Sequence, residues 1–293
     1  MTEIEWPFLG QEVLAAKALP ERAMRSLHAP IYPGVYVPGG VILTASQRAE
    51  AAWLWSRRRG VAAGVSAAAL LGAKWVDATL DAELIFDNRR PPAGIKVHTE
   101  TLLTEEVAEV GGIAVTSAAR TAFDIGRRAN SRLMAVQLLD ALANATDVKD
   151  VDVEAVIARH PGARGVARMR RILPLVDGGA ESPQETRTRL ALIGAGLPKP
   201  QTQVVVRDEY GEFVARIDMG YEDLRVGIEY DGPQHWTDAK QRDRDIDRYS
   251  ALLDLGWVIV RVSSELLRYR QGTLIARVEA AMRTAGWQPG SRL

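Results

Sequence analysis

The sequence predicts a multidomain protein of the α/β class, and three observations lead to this expectation. The chain has 293 residues, which is enough for two domains and a small third one. The stretch VDGGAES at 176–182 breaks a helical pattern and marks a boundary. Beyond it the predicted order of elements is α-β-β-β-α-β-α, a mixed α/β core. We therefore expect three regions, residues 1–45, 46–176 and 177–293.

The composition is that of an ordinary globular protein and excludes several kinds of site. Hydrophobic residues make up 47% and charged residues 25% of the chain. The 37 basic and 37 acidic residues balance, so only local patches could recognise a nucleic acid. Cysteine is absent, which excludes disulfides, thiolate zinc sites and a cysteine nucleophile.

The sequence also predicts a cytoplasmic protein without a membrane partner. The first seven residues carry Glu3 and Glu5 and no basic residue before an apolar core, unlike a signal peptide. No uncharged apolar run reaches the roughly 18 residues that a membrane span needs.

Residues 1–45 are predicted to form a small winged helix-turn-helix. Two short helices, Gln11–Lys17 and Glu21–Leu27, precede a β-type run, Gly34–Val37. This order suits a DNA-binding module, although a helical hairpin that caps the next domain is the alternative. In a DNA-binding module, the residues expected near phosphates are Arg22, Arg25 and His28.

Residues 46–176 are predicted to form an α+β domain. Helical stretches are expected at 45–72, 116–128 and 131–145, and strands at 84–86 and 95–98. An arginine-rich segment without acids follows at 159–171. It is either a solvated helix face or a phosphate-binding patch, and the patch would use Arg164 and Arg168.

The C-terminal region carries the clearest pattern of elements. The predicted helices are Pro183–Ala195, Asp238–Leu255 and Leu274–Ala285. The predicted strands are Gln203–Arg207, Phe213–Tyr221, Arg225–Tyr230 and Trp257–Val262.

Eight acidic residues lie between positions 208 and 231, and three of them stand out. Asp218, Glu229 and Asp231 lie in segments that otherwise have the pattern of strands, where carboxylates are disfavoured. A two-residue turn at 223–224 would place Asp218 directly opposite Glu229, with Cβ atoms about 5 Å apart. Asp231 would share that face, because side chains alternate along a strand.

Carboxylates placed in this way repel one another unless a cation lies between them. Oxygen ligands of this kind suit Mg²⁺ or Mn²⁺, with water and a substrate phosphate completing the coordination. The alternative is a sheet edge that carries charges against aggregation. That alternative does not explain why the acids converge.

The C-terminal region resembles a known nuclease family. The segments that carry the resemblance are PQETRTRLALIGAGLPKPQTQV, RIDMGY, VGIEYDGPQHW and RDIDRYSALLDLGWVIVRV, within residues 180–281. They are similar to the domain of very-short-patch-repair endonucleases, in the PD-(D/E)XK superfamily. The resemblance implies a restriction-endonuclease-like mixed α/β core and a metal held by Asp218, Glu229 and Glu185.

The same resemblance implies roles for nearby residues. Asp231 stands where the superfamily has a lysine, and this departure is shared with the short-patch-repair-like branch. There His235 would serve in proton transfer, and Gln234 would orient water or the metal, although His235 could simply pack beside Trp236. Arg248 lies three residues after Asp245, so it either forms an ion pair on that helix or contacts a phosphate.

The first half resembles actinobacterial AbiEi-like antitoxins of abortive-infection systems. The matching segments are GVYV at 34–37, VSAAALLGA at 65–73 and TSAARTAFDI at 116–125. In that family a winged helix-turn-helix precedes a domain of poorly defined role.

Two functions follow from these patterns. The first is a Mg²⁺-dependent DNA endonuclease, in phage defence or DNA repair, whose metal activates water for attack on a phosphodiester. The second is a catalytically silent DNA-binding regulator or antitoxin, with a toxin protein as partner, that uses the nuclease-like fold as a scaffold. The presence of Asp218 and Glu229 together with Glu185 favours the first, whereas the missing lysine and the antitoxin-like half favour the second.

Overall fold

The chain divides into two compact units, Met1–Val176 and Asp177–Leu293. The computed structural model describes residues 5–88, 90–232 and 239–290, and of residues 239–245 it describes the helical backbone alone. Within these ranges the protein is mixed α/β, with three sheets. No helix in the described part of the chain combines the length and the apolar character that crossing a membrane requires.

Unit one contains eight strands and eight α-helices among its described residues. The strands are β1 (Phe8–Leu9), β2 (His28–Tyr32), β3 (Val35–Pro38), β4 (Val61–Ala62), β5 (Ala82–Ile85), β6 (Ile95–His98), β7 (Val107–Val110) and β8 (Ile113–Thr116). The helices are α1 (Gly10–Ala15), α2 (Glu21–Leu27), α3 (Ala45–Trp55), α4 (Gly64–Leu70), α5 (Ala118–Arg128), α6 (Arg132–Ala145), α7 (Asp150–Arg159) and α8 (Val166–Ile172).

The first 45 residues contain the two predicted helices, now α1 and α2, followed by the hairpin of β2 and β3. These strands form an antiparallel sheet of order β1-β3-β2, and a mixed sheet of order β6-β5-β4-β8-β7 follows. Leu9, Tyr32 and Val35 lie in one buried cluster with Leu84 and Val115 of the second sheet. Part of residues 5–45 therefore shares a core with the rest of unit one, whereas Phe8, Val13 and Met24 form a separate cluster.

A buried network of charges organises helix α5, which carries the TSAART segment. Ser117 caps the helix by accepting a hydrogen bond from the backbone N–H of Arg120. The Arg120 guanidinium, which is 1% exposed, donates to Glu106 at 2.6 Å and to Asp124 at 3.2 Å. The His160 ring lies 2.6 Å from the other oxygen of Glu106. Buried charges persist only when paired in this way, which gives the segment a structural role.

Unit two has the order α-β-β-β-α-β-α-α. Its helices are α9 (Pro183–Gly194), α10 (Ala239–Asp254), α11 (Ser264–Tyr269) and α12 (Gln271–Thr284). Its strands are β9 (Gln201–Arg207), β10 (Phe213–Tyr221), β11 (Val226–Asp231) and β12 (Val258–Ser263). The predicted elements are all present, and the short helix α11 is an addition that the sequence pattern did not reveal.

The sheet of unit two has the order β12-β11-β10-β9, with β11 and β12 parallel and the other pairs antiparallel. Helices cover both of its faces. Val260 and Val262 of β12 pack with Leu274 of α12, whereas Ile259, which precedes them, packs with Leu252 of α10. This alternation is the expected one for a strand buried on both sides.

Candidate functional site

The hairpin of β10 and β11 has the register that the sequence predicts. Met219 lies opposite Ile228 and Tyr221 opposite Val226, and these are the outer members of the paired stretch. Asp218 and Glu229 follow at the next position on each strand, beyond the last pair. The turn is longer than expected, because a 3₁₀ turn at Glu222–Leu224 is followed by Arg225 in the left-handed region, at φ 50°. The predicted register is therefore confirmed at these paired positions, the direct pairing of Asp218 with Glu229 stays a prediction, and the predicted two-residue turn is wrong.

The alternation of side chains between the two faces of β10 is interrupted at Asp218. Met219 shares a face and a core cluster with Ile228, whereas Ile217 lies against Gly227 on the opposite face. Two residues of a regular strand that are two positions apart would share one face. The irregularity extends to β9, where Gln203 falls between the paired positions and has a φ of 52°. A positive φ is costly for glutamine and typical of strained functional positions.

Asp218 is a partly buried acid at this irregularity. Its Oδ2 accepts a hydrogen bond of 2.7 Å from the backbone N–H of Tyr230, so the carboxylate replaces a strand carbonyl. Burial is the largest cause that raises the pKa of Asp218 to about 7, and the charges of Glu185 and Glu229 add to it. The Tyr230 hydrogen bond and the charge of Arg248 oppose the rise.

Glu185 reaches the same place from helix α9. Pro183 opens the helix and Ser182 caps it by accepting a 3.2 Å hydrogen bond from the Glu185 N–H. The Glu185 side chain is buried, and its Oε2 accepts from the Glu181 N–H at 2.9 Å and from Gln203 Nε2 at 3.2 Å. Burial raises the pKa of Glu185, and the charge of Glu181 raises it further.

Glu229 is held by helix α10. Arg248 donates to both of its carboxylate oxygens, at 2.7 and 3.0 Å, and the Tyr249 hydroxyl donates to Oε2 at 2.5 Å. The Arg248 guanidinium also lies over the Tyr249 ring, 4.7 Å from its centroid. Burial raises the pKa of the Tyr249 hydroxyl, and its hydrogen bond to Glu229 adds to that rise, so it remains a donor.

Asp231 has a different partner from the other acids. It forms an ion pair with Arg261 of the neighbouring strand β12. The Arg261 guanidinium lies 5.3 Å from the centre of the Tyr249 ring, so the pair borders the Glu229 contacts. The Asp231 carboxylate is therefore paired with a cation from another strand.

The acidic cluster of Glu185, Asp218 and Glu229 offers the oxygen donors that Mg²⁺ and Mn²⁺ prefer. The raised pKa of Asp218 comes mainly from its burial, and the charges of Glu185 and Glu229 make a smaller contribution. Both oxygens of Glu229 are bound to α10, and no three His, Asp or Glu side chains in the described ranges are placed to hold a metal ion. The donor chemistry is that of a divalent-ion site, and Arg248 holds the Glu229 oxygens that an ion would need.

The residues predicted to contact nucleic acid have varied surroundings in unit one. Arg25 pairs with Glu21 on the exposed face of α2, and the His28 ring packs edge-on against Phe8. Arg164 is exposed between α7 and α8. Arg168 donates to the backbone carbonyl of Ala129, which gives it a structural contact. Arg22 is exposed on α2.

Two predicted site residues, Gln234 and His235, lie outside the described residues, as does the side chain of Asp245. The structure adds two residues that the sequence did not single out, Gln203 and Tyr249. Gln203 begins a β-branched run, and its polar side chain was the available signal. Tyr249 follows Arg248 directly, but nothing in the sequence aligns it with an acid twenty positions earlier.

Comparison with known proteins identifies relatives in Mycobacterium tuberculosis. Over 189 residues the chain is 32% identical to "Uncharacterized protein MT2308" of strain CDC 1551 / Oshkosh and to "Uncharacterized protein Rv2248" of strain ATCC 25618 / H37Rv. The match covers 64% of this chain and 68% of each relative. No protein-family model and no solved structure matches significantly. The chain belongs to the family of the mycobacterial proteins MT2308 and Rv2248.

Proposed function

We propose that unit two is the nuclease domain of a Mg²⁺- or Mn²⁺-dependent DNA endonuclease. The observation that carries the proposal is that α9, β10 and β11 each contribute one acid to the cluster. Glu185 accepts from Gln203 of the neighbouring strand β9, and Asp218 accepts from the N–H of Tyr230, which directly follows Glu229. The charges of Glu185 and Glu229 add to the burial that raises the pKa of Asp218. Structural ion pairs alone do not require three acids to share one site. The resemblance of residues 180–281 to short-patch-repair-like nucleases supports the same function.

A bound divalent ion would act as a Lewis acid on the scissile phosphodiester and lower the pKa of an attacking water. Glu185, Asp218 and Glu229 are the residues that would hold it. Gln203 and the Glu181 N–H orient Glu185, and the Tyr230 N–H orients Asp218. His235 is the proposed proton relay, and Gln234 the proposed neighbour that orients water.

The second candidate is a DNA-binding regulator or antitoxin without catalysis. The observation in its favour is that Arg248 and Tyr249 together occupy both oxygens of Glu229. In that function the Glu229–Arg248 pair would be a permanent structural contact, and a toxin protein would be the partner. The two functions differ in whether a divalent ion enters the acidic cluster.

Cleavage of DNA tests the proposed function. Supercoiled plasmid is incubated with the purified full chain in Mg²⁺, Mn²⁺ or EDTA, beside Asp218→Asn and the matched control Asp223→Asn. Asp223 is an exposed acid in the turn of the same hairpin. We expect metal-dependent nicking or linearisation by the wild type and by Asp223→Asn, and none by Asp218→Asn. Equal cleavage by both variants would assign the activity to a contaminant and favour the regulator.

A further inference from the structure

We propose that Arg248 is an internal cation that occupies the acidic cluster until metal and DNA arrive together. The inference rests on the proposed function, because it concerns how the same site is controlled. It assigns Arg248 two alternating partners: the Glu229 carboxylate in the metal-free protein, and a DNA phosphate in the metal-bound one. Tyr249 assists by holding Glu229 on the side of helix α10.

The geometry of the Glu229 contacts is that of a cation-binding site that is already filled. The guanidinium takes both oxygens, at 2.7 and 3.0 Å, and the Tyr249 hydroxyl takes a further lone pair of Oε2. Two-pronged contacts of arginine with a carboxylate are among the strongest ion pairs in proteins. A divalent ion needs the same oxygens, so metal and Arg248 compete for Glu229.

The position of Arg248 makes this competition reversible. The Glu229 side chain is 9% exposed, whereas that of Arg248 is 28% exposed, so the guanidinium can leave towards solvent while the acid stays. The charge of Arg248 also acts on Asp218, whose pKa it lowers. A single positive charge thus partly neutralises two of the three acids, which a divalent ion would do more completely.

Once a divalent ion binds, the displaced guanidinium stands beside another cation and needs a new anion. A DNA phosphate meets that need, because its oxygens match the planar fork of arginine. Binding of metal should therefore promote binding of DNA, and by linkage DNA should promote binding of metal. Coupling between sites is typically about 5- to 150-fold, and we expect about tenfold here.

The Mn²⁺ affinity of the full chain is measured by titration calorimetry. DNA is left out, so the result does not depend on cleavage activity. Arg248→Gln removes the competing charge, and Tyr249→Phe removes one hydrogen bond and keeps the ring. Arg261→Gln is the matched control, because Arg261 also lies over Tyr249 but pairs with Asp231. We expect Arg248→Gln to bind Mn²⁺ about tenfold more tightly than wild type, Tyr249→Phe about twofold, and Arg261→Gln equally.

DNA affinity, measured by fluorescence anisotropy with a short duplex, provides the second half of the test. Mn²⁺ should strengthen duplex binding about tenfold in wild type and in Arg261→Gln, and should not do so in Arg248→Gln. Equal or weaker Mn²⁺ binding by Arg248→Gln, beside measurable wild-type binding, overturns the inference and leaves the metal site standing. If no variant binds Mn²⁺, both the inference and the proposed function fail. Should Arg248→Gln not fold, unchanged affinity in Tyr249→Phe overturns the inference.

Discussion

The carboxylate of Asp218 accepts a hydrogen bond from the backbone N–H of Tyr230, 2.7 Å away on the neighbouring strand. The last paired position of the two strands is Met219 opposite Ile228. Asp218 lies just beyond it, where the side-chain alternation of β10 is interrupted, and its carboxylate can therefore reach the Tyr230 N–H. A carboxylate that satisfies a strand donor is fixed in direction, and the same contact leaves its second oxygen for another partner. This irregularity, together with the kink at Gln203, positions the acidic cluster.

Asp218 should make the metal-free protein less stable at neutral pH than at mildly acidic pH. Its pKa rises from an ordinary value of 3.8 to about 7, so the folded state holds a proton that the unfolded chain lacks within this window. Stability should therefore fall as pH rises from about 4 to 7. At about 1.4 kcal/mol per pKa unit, the cost above pH 7 is on the order of 4 kcal/mol.

Asp218→Asn should remove this cost and keep an acceptor for the Tyr230 N–H. In EDTA, its free energy of unfolding should exceed that of wild type at pH 8 and approach it at pH 5, as measured by urea denaturation. Asp223→Asn, in the exposed turn, should match wild type at both pH values. A constant difference between Asp218→Asn and wild type across this range would show that repulsion and burial do not act on Asp218.

Gln203→Met should destabilise unit two without changing side-chain size much. The amide of Gln203 donates to the buried carboxylate of Glu185, so its loss leaves Oε2 with one hydrogen bond fewer, while the one from the Glu181 N–H remains. The expected loss is about 1–3 kcal/mol in the free energy of unfolding. The charge of Glu185 causes the effect, so the loss should shrink at pH values low enough to protonate it. An effect that is independent of pH would point to packing instead.

Two opposed glycines of the hairpin should differ in their tolerance of a methyl group. A Cβ at Gly220 would lie 2.6 Å from the Val226 backbone oxygen, whereas one at Gly227 would meet the end of the Ile259 side chain at 2.6 Å. Because a side chain can rotate and a paired backbone cannot, Gly220→Ala should be the more destabilising, with overpacking costs of roughly 1–3 kcal/mol. Gly194→Ala, in open space at the end of α9, should be neutral or stabilising. The reverse order in urea denaturation would refute the assigned register.

Much of unit two could be predicted because its signals are local. Strand and helix periodicities gave its elements, and acids within apolar strands indicated Asp218 and Glu229. The partners of these acids could not be predicted in the same way. Gln203 has a positive φ, which the sequence does not indicate when the residue is not glycine. Tyr249 contacts Glu229 only because α10 packs against the sheet.

In unit one the sequence indicated some of the short elements but missed strand β4, which interrupts the helical stretch predicted at 45–72, and it did not indicate how the elements pack. Leu9 and Tyr32 lie in the core of the following sheet, and such shared burial leaves no local pattern. Arg120 pairs with Glu106, which lies 14 positions earlier in the chain, and with Glu100, which lies 20 positions earlier. Charged residues in an amphipathic helix normally predict a solvated face. The burial of this network of charges could therefore not be predicted from the sequence.

DNA binding through the N-terminal helices remains a prediction with a direct measurement. The double variant Arg22→Ala, Arg25→Ala should weaken duplex binding by the full chain and reduce the dependence on salt. Each lost phosphate contact should lower the slope of log affinity against log salt by about 0.9. Arg132→Ala, which is also exposed but lies on α6, is the control. An unchanged slope in the double variant would leave α2 without a role in DNA binding.

Thermal unfolding with and without Mn²⁺ tests the central claim, that the acidic cluster is a divalent-metal site. Wild-type protein and Asp218→Asn are melted in EDTA and in millimolar Mn²⁺. A ligand at one hundred times its Kd stabilises the native state by about 2.7 kcal/mol, so the wild-type transition of unit two should move clearly upwards. Asp218→Asn should melt higher than wild type in EDTA and should not respond to Mn²⁺. A wild-type transition that Mn²⁺ leaves unmoved, or an equal shift in Asp218→Asn, would contradict the account.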